Sequence, residues 1–271
     1  MVQIQYSSDL HINDFPIGTP FESFLTPNAP VLVIAGDICS AWDPLYSYFL
    51  HWCSRHWYIV IIITGNHEYF CDDDRKHTFE QTDAHIRQIC NRLPNVVFLQ
   101  SGQSYVLPNT NIRFIGATLW SNIDTSIWDT IKDKKGDFKV IYTQTPNSIR
   151  RTHPSDICTL HSMHRAWLSS AIASKKENEI LIVLTHHMPT MKLLEDRYQN
   201  DPLRSCYASK DDDLLTHDVA VWICGHGHRS TKLKIPYGPY CVMNARGYNR
   251  QNELYRISDT YNPRAVLDVK N

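Results

Sequence analysis

The chain has 271 residues, 42% of them apolar, and a formal net charge of −1. That length suits one large domain or a domain with a small insert, and the apolar content is enough to bury a full core without cross-links. A charge so near zero excludes a global field built to hold nucleic acid or an anionic membrane.

Val2, Ile4 and Tyr6 alternate with polar residues and predict a half-buried strand, with Asp9 and His11 just beyond it. Residues i and i+2 of an extended chain face the same side, so both side chains can grip one ion. A Pro- and Gly-containing loop follows, with a short helix near Phe21–Leu25. Val31–Ala35 is a second buried strand, ending in Gly36-Asp37. Pro44 opens a helix on which Leu45, Tyr48, Phe49 and Trp52 fall at helical spacing; His51 and His56 there read as surface or packing residues.

Tyr58–Ile63 is a third strand, strongly β-branched, and Thr64-Gly65-Asn66-His67-Glu68 follows it directly. The acidic run Asp72-Asp73-Asp74 reads as a solvated turn. His77–Cys90 predicts a helix, Asn95–Leu99 a short strand, and Ser104–Leu107 with Ile112–Leu119 a hairpin. Trp120–Arg151 is polar and mixed in charge, so an insert or lid over the site is expected around residues 121–158.

Thr159–Lys175 predicts a helix carrying His161 and His164, read as core or surface residues. Ile180–Thr185 is a buried strand ending in His186-His187-Met188-Pro189. A polar excursion around residues 190–217 contains Asp211-Asp212-Asp213, again read as solvated. Val219–Cys224 leads into Gly225-His226-Gly227-His228, Lys232–Ile235 and Tyr240–Met243 predict a hairpin, and Ala265–Val269 is a last strand. With no internal repeat or linker, a single domain over 1–271 with two excursions is expected. The eight cysteines contain no C-x-x-C pair and read as reduced core thiols, which points to a soluble, cytoplasmic protein. No signal segment is evident, and the longest apolar run is far short of the ~20 residues that span a bilayer.

Five buried strands thus end in groups able to bind metal, which is where an open α/β sheet presents its chemistry. Asp9, His11, Asp37, Asn66, His186, His226 and His228 offer oxygen and imidazole donors without a thiolate, favouring manganese, iron or zinc. Seven donors exceed the needs of one tetrahedral ion and suit two ions sharing a carboxylate. Two divalent ions against two aspartates leave the site at about +2 by charge addition, a setting for a phosphate ester.

In this order, Asp9-x-His11, Gly36-Asp37, Gly65-Asn66-His67-Glu68, His186 and Gly225-His226-Gly227-His228 resemble the signature of the calcineurin-like metallophosphoesterases, over Val2 to about Tyr248. The resemblance implies an α/β fold, a four-layer α/β/β/α sandwich of two mixed β-sheets. It implies that Asp9, His11, Asp37 and His228 hold a first ion and Asp37, Asn66, His186 and His226 a second, with Asp37 bridging. It implies a metal-bridging hydroxide as nucleophile, with His67 contacting phosphate and protonating the leaving oxygen as general acid. Glu68 is expected to orient a ligand or cap a helix. The family usually shows His, one or two residues, then Pro after the fourth strand. Here two histidines precede Met188-Pro189; His186, first past the apolar run, is the expected ligand, and His187 is expected to line the pocket.

Arg246 and Arg229 are candidate phosphate-binding residues, a role that surface salt bridges would fit equally. Tyr69, Phe70, Trp120, Tyr198, Tyr207 and Tyr248 can stack a base or simply pack. The substrate expected is therefore a phosphate ester, a nucleotide among the candidates, with monoester against diester open. A nuclease of the same family is the rival enzyme reading, disfavoured by the neutral charge and the short insert. A non-catalytic scaffold, as in the retromer subunit of this family with its degraded motifs, is the rival from another class. Neither a protein partner nor a membrane is implied.

Overall fold

The strongest apolar runs become strands buried on both faces, and alternation along each run sends side chains into two different cores. The computed structural model describes residues 1–72, 74–249 and 257–270. In chain order the first elements are β1 (Val2–Ser7), β2 (Val31–Ala35), α1 (Pro44–His56), β3 (Ile59–Ile63), α2 (Phe79–Cys90) and β4 (Val96–Phe98). Then come β5 (Ser104–Val106), β6 (Ile112–Ala117), α3 (Trp128–Lys134), α4 (Asp137–Val140), β7 (Tyr142–Gln144), β8 (Ile149–Arg151) and α5 (Pro154–Ala173). The chain closes with β9 (Ile180–Thr185), β10 (Val219–Cys224), β11 (Ser230–Lys234), β12 (Tyr240–Asn244) and β13 (Val266–Val269).

Among the described residues, one sheet runs β13-β1-β2-β3-β4, parallel except for the β13 edge. The other runs β11-β12-β10-β9-β6-β5, parallel at its centre and antiparallel at both edges. Leu32, Ile34, Val60 and Ile62 pack outward against Phe49 and Leu50 of α1 and Ile86 of α2. Val33, Ile61 and Ile63 of the same strands turn inward to meet Ile182, Leu184 and Ile223 of the other sheet. Leu181 and Val183 face outward toward Leu168 and Ile172 of α5. Helix, sheet, sheet, helix is therefore the layering, a mixed α/β sandwich as expected.

Boundaries shift where capping chemistry decides them. α2 starts at Phe79 because Thr78 forms a capping box with Gln81. α5 starts at Pro154, five residues before the sequence expectation, with Pro at its first turn and His153 as N-cap. The polar, mixed-charge stretch expected as an insert or lid holds α3, α4 and the β7–β8 hairpin. It closes over a core of its own, with Trp120, Ile131, Phe138 and Ile141 buried.

Asp211, expected to be solvated, is buried: Arg165 Nε on α5 donates to its Oδ1 at 2.9 Å, and His161 Nε2 lies 3.5 Å away. The excursion packs onto α5, and this pairing is what allows a carboxylate there. The acidic run at 72–74 includes Asp73, which lies outside the described residues. All eight cysteines are unpaired thiols, seven of them buried. Among the described residues no helix is long and apolar enough to cross a membrane.

Candidate metal centre

The parallel strands β1, β2, β3, β9 and β10 all point their carboxyl ends to one edge of the sandwich, where the loops converge. Of the nine non-glycine residues with positive φ among those described, five are Asp9 (53°), His11 (43°), Asp37 (58°), His226 (64°) and His228 (46°). The left-handed region costs an L-residue about 1–2 kcal/mol, and such cost concentrates where a structure aims side chains for function.

The donors fall into two groups. Asp9, His11 and His228 form one: Asp9 Oδ1 is 3.3 Å from His228 Nε2, and the Nε2 atoms of His11 and His228 face each other at 3.2 Å. Asp37, His186 and His226 form the other, with Asp37 Oδ2 3.2 Å from His186 Nε2. The same Asp37 Oδ2 is 3.9 Å from His11 Nε2, so Asp37 stands between the groups. His11, Asp37 and His67 also lie close enough together to hold an ion. Asn66 reaches the site from the turn after β3; its Nδ2 donates to Asp137 Oδ1 at 2.9 Å, while its buried Oδ1 has no partner. His186 Nδ1 lies 2.8 Å from the Ala35 carbonyl, leaving Nε2 as the inward nitrogen, itself without a hydrogen bond.

These unpaired buried atoms are the test of whether a cation fits. An acceptor such as Asn66 Oδ1 costs about 1–3 kcal/mol when buried alone, and a divalent ion would satisfy it. Burial, with neighbouring imidazoles, holds His11 and His226 well below the ordinary histidine range. They are therefore neutral, the form that ligates metal. For His186, burial acts downward, but the Asp37 carboxylate outweighs it and pushes the group up to about 10. Burial likewise pushes Asp37 up, yet His186, His67 and His11 outweigh it and keep its carboxyl well below the usual range. His186 Nε2 thus faces the Asp37 carboxylate at a place where a divalent ion would bring positive charge. The residues fit a metal.

Glu68 supports this arrangement from beneath. Its carboxylate accepts from the backbone N–H groups of Asp37 (3.0 Å), Ile38 (2.8 Å) and Gly65 (2.7 Å), tying the β2 and β3 turns together. The approach is so close that a Cβ on Gly36 would lie 2.7 Å from His186 Nδ1, and one on Gly65 would collide with the Asp37 carboxylate.

His67 lines a cavity of about 500 Å3 beside both groups. Its backbone N–H donates to Asp37 Oδ1 at 2.8 Å, and its ring Nε2 lies 2.9 Å from the Tyr248 hydroxyl. Burial lowers its proton affinity, against Asp37 and Asp137.

Two expected substrate contacts sit elsewhere. His187 is buried behind the site, its ring 4.1 Å from that of His226 and 5.3 Å from Trp120, and it does not line the cavity. Arg246 lies with its guanidinium 4.0 Å from the Phe15 ring and 4.2 Å from the Phe24 ring, also away from the cavity. A planar cation stacks well on aromatic faces, which is why the chain can bury it there. Arg229 is occupied with Thr231.

Of the six aromatic residues considered for stacking, Phe70, Tyr198, Tyr207 and Tyr248 line the cavity, whereas Tyr69 and Trp120 are core. Asp137 and Lys135 also reach the cavity, from within the insert expected over the site around residues 121–158, although no motif marks these two side chains.

A family profile described as calcineurin-like phosphoesterase matches residues 6–230. The chain is 24% identical over 284 residues to "Uncharacterized protein L509" of Acanthamoeba polyphaga mimivirus, covering 98% of this chain and 96% of that protein. Among solved structures it is similar to a phosphopantetheinyl hydrolase from Mycobacterium tuberculosis, with a TM-score of 0.68, 17% identity and 93% of each chain covered. A dimetal phosphatase from Danio rerio aligns with a TM-score of 0.48 and 14% identity, over 89% of this chain and 86% of that one.

Proposed function

Because the chain belongs to the calcineurin-like phosphoesterase family, we propose that it hydrolyses phosphate esters with two divalent ions, manganese, iron or zinc. The observation that carries this reading is the pairing of Asn66 Oδ1 and His186 Nε2, buried and without hydrogen bonds, with Asp37 placed between two donor groups. Asp9, His11, Asp37 and His228 would hold one ion; Asp37, Asn66, His186 and His226 the other. Bound divalent ions supply positive charge that polarises the phosphoryl group and makes a neighbouring water acidic.

The chain does the rest. Glu68 fixes the Asp37 backbone, so the shared carboxylate stays in place as charge develops. His67 donates a proton to the departing oxygen. Burial makes it a weak base in the free protein, and an incoming phosphate raises its proton affinity by adding negative charge nearby. Such general acid catalysis is worth about 10²–10⁴-fold. Tyr248 steadies the His67 ring.

The test is metal content together with a screen of chromogenic monoesters and diesters, under manganese, zinc, nickel and magnesium. The phosphopantetheinyl hydrolase among its structural neighbours makes an ester with a long organic arm a sensible addition to that screen. Tight binding of two ions with hydrolysis supports the reading. A purified protein that binds no transition ion and turns over no ester is a scaffold instead.

A further inference from the structure

The two polar excursions meet over the cavity. Lys135, just past α3, places its ammonium 3.7 Å from the centre of the Tyr207 ring, which belongs to the other excursion. The Tyr207 ring is 5.6 Å from that of His226, and the Tyr198 ring stands 6.1 Å beyond Tyr207. Leu193 and Leu194 are buried and extend this wall. Asp137, two residues after Lys135, is engaged with Asn66, so the lysine leans on an aromatic face rather than on that carboxylate. A lysine stem is long and its ammonium is a point charge. With its weak cation–π contact exchangeable, Lys135 can turn to an anion entering the cavity that it lines together with His226.

We propose that Lys135 is the specificity-determining residue that makes this site favour dianionic phosphate monoesters, while the Tyr207, Tyr198 and Leu193–Leu194 wall seats an apolar or aromatic leaving group. The proposal rests on the phosphoesterase reading above. Beside two divalent ions with Asp9 and Asp37, about +2 by charge addition, the cavity lining sets Lys134 and Lys135 against Asp137, Glu195 and Asp201. A monoester carries close to −2 at neutral pH and a diester −1, so the monoester gains about twice as much from a cation at the same place. Removing Lys135 therefore takes more from the monoester than from the diester. The cavity of about 500 Å3 is the size of a small-molecule site, and its lining joins Phe70, Met188, Leu193 and Leu194 to charged and imidazole groups.

The experiment uses the manganese-loaded full chain with 4-nitrophenyl phosphate, bis(4-nitrophenyl) phosphate and glycerol 2-phosphate. Lys135→Met is expected to lose at least about tenfold more kcat/KM on the aryl monoester than on the diester, chiefly in KM, as for loss of a charge-assisted hydrogen bond. Metal content should be unchanged, inhibition by inorganic phosphate should weaken by a similar factor, and Lys135→Arg should recover most of the monoester activity. Tyr207→Leu should shrink the preference for the aryl over the glycerol monoester. An equal fall on monoester and diester in Lys135→Met would mean that the lysine only holds the two excursions together, and would overturn the proposal, as would no change at all. A wild-type protein with both ions bound and no activity on any ester overturns the phosphoesterase reading instead. Inorganic phosphate binding by wild type against Lys135→Met then still reports on the lysine separately.

Discussion

Asn66→Leu separates a metal ligand from an ordinary core amide, because the two roles give opposite signs. Asn66 is buried, and its Oδ1 has no partner in the protein. In chelator, leucine removes a lone buried acceptor that costs about 1–3 kcal/mol and gives up a hydrogen bond to Asp137 worth about 1 kcal/mol. The metal-free variant should therefore melt at or slightly above wild type.

With metal the order reverses. A ligand at a hundred times its Kd stabilises the folded state by about 2.7 kcal/mol. For a chain of this size each kcal/mol moves Tm by about 2–4 °C, so wild type should gain about 5–10 °C for each ion bound on adding manganese. Asn66→Leu should forfeit the share of that gain due to the ion near His186 and His226, and bind one ion fewer by elemental analysis. Thermal melts of both proteins, with chelator and with manganese, read this directly. An equal metal-induced gain in variant and wild type would refute the assignment of Asn66.

His67→Gln should keep its metal and lower kcat by about 10²–10⁴-fold, more for alkyl than for nitrophenyl leaving groups; loss of an ion would make His67 a ligand rather than the acid. Gly36→Ala places a methyl at φ +85° against the Gly65 backbone and His186, and should cost at least about 2 kcal/mol and weaken metal binding; a wild-type melt and metal content would contradict the packing described. Asp83 is pushed up to about 6 by burial, against hydrogen bonds from Tyr69 and Gln100. Its folded form holds the proton more tightly than the unfolded chain, so its contribution makes stability fall as pH rises from about 4 to about 6, with the loss complete above. Asp83→Asn removes that slope, melting above wild type by up to about 3 kcal/mol at pH 7.5 and converging with it at pH 4; parallel pH profiles of Tm in the two proteins would exclude the effect.

The strands that carry the site could be read directly from the chain. Runs such as Val31–Ala35 and Ile59–Ile63 are apolar at consecutive positions, which only a strand covered on both faces can bury. Once those strands are placed side by side and parallel, Asp9, Asp37, Asn66, His186 and His226 must gather at their carboxyl ends. Glu68 was legible as a support for the same reason. The β7–β8 hairpin was not, since its short strands are mostly polar and its pairing is stabilised by the core formed around Trp120, Phe138 and Ile141.

Tertiary structure alone decided what happens in segments without hydrophobic periodicity. Asp211 is buried because Arg165, 46 residues away, meets it. Arg246 faces Phe15 and Phe24 rather than the cavity because those rings lie against it in the fold. Asp137 reaches Asn66 across 71 residues, and Lys135 reaches Tyr207 where two excursions touch. Periodicity encodes which face of an element is buried; the direction of a polar side chain in a loop is set by contacts with distant residues, and those exist only once the sheets have packed.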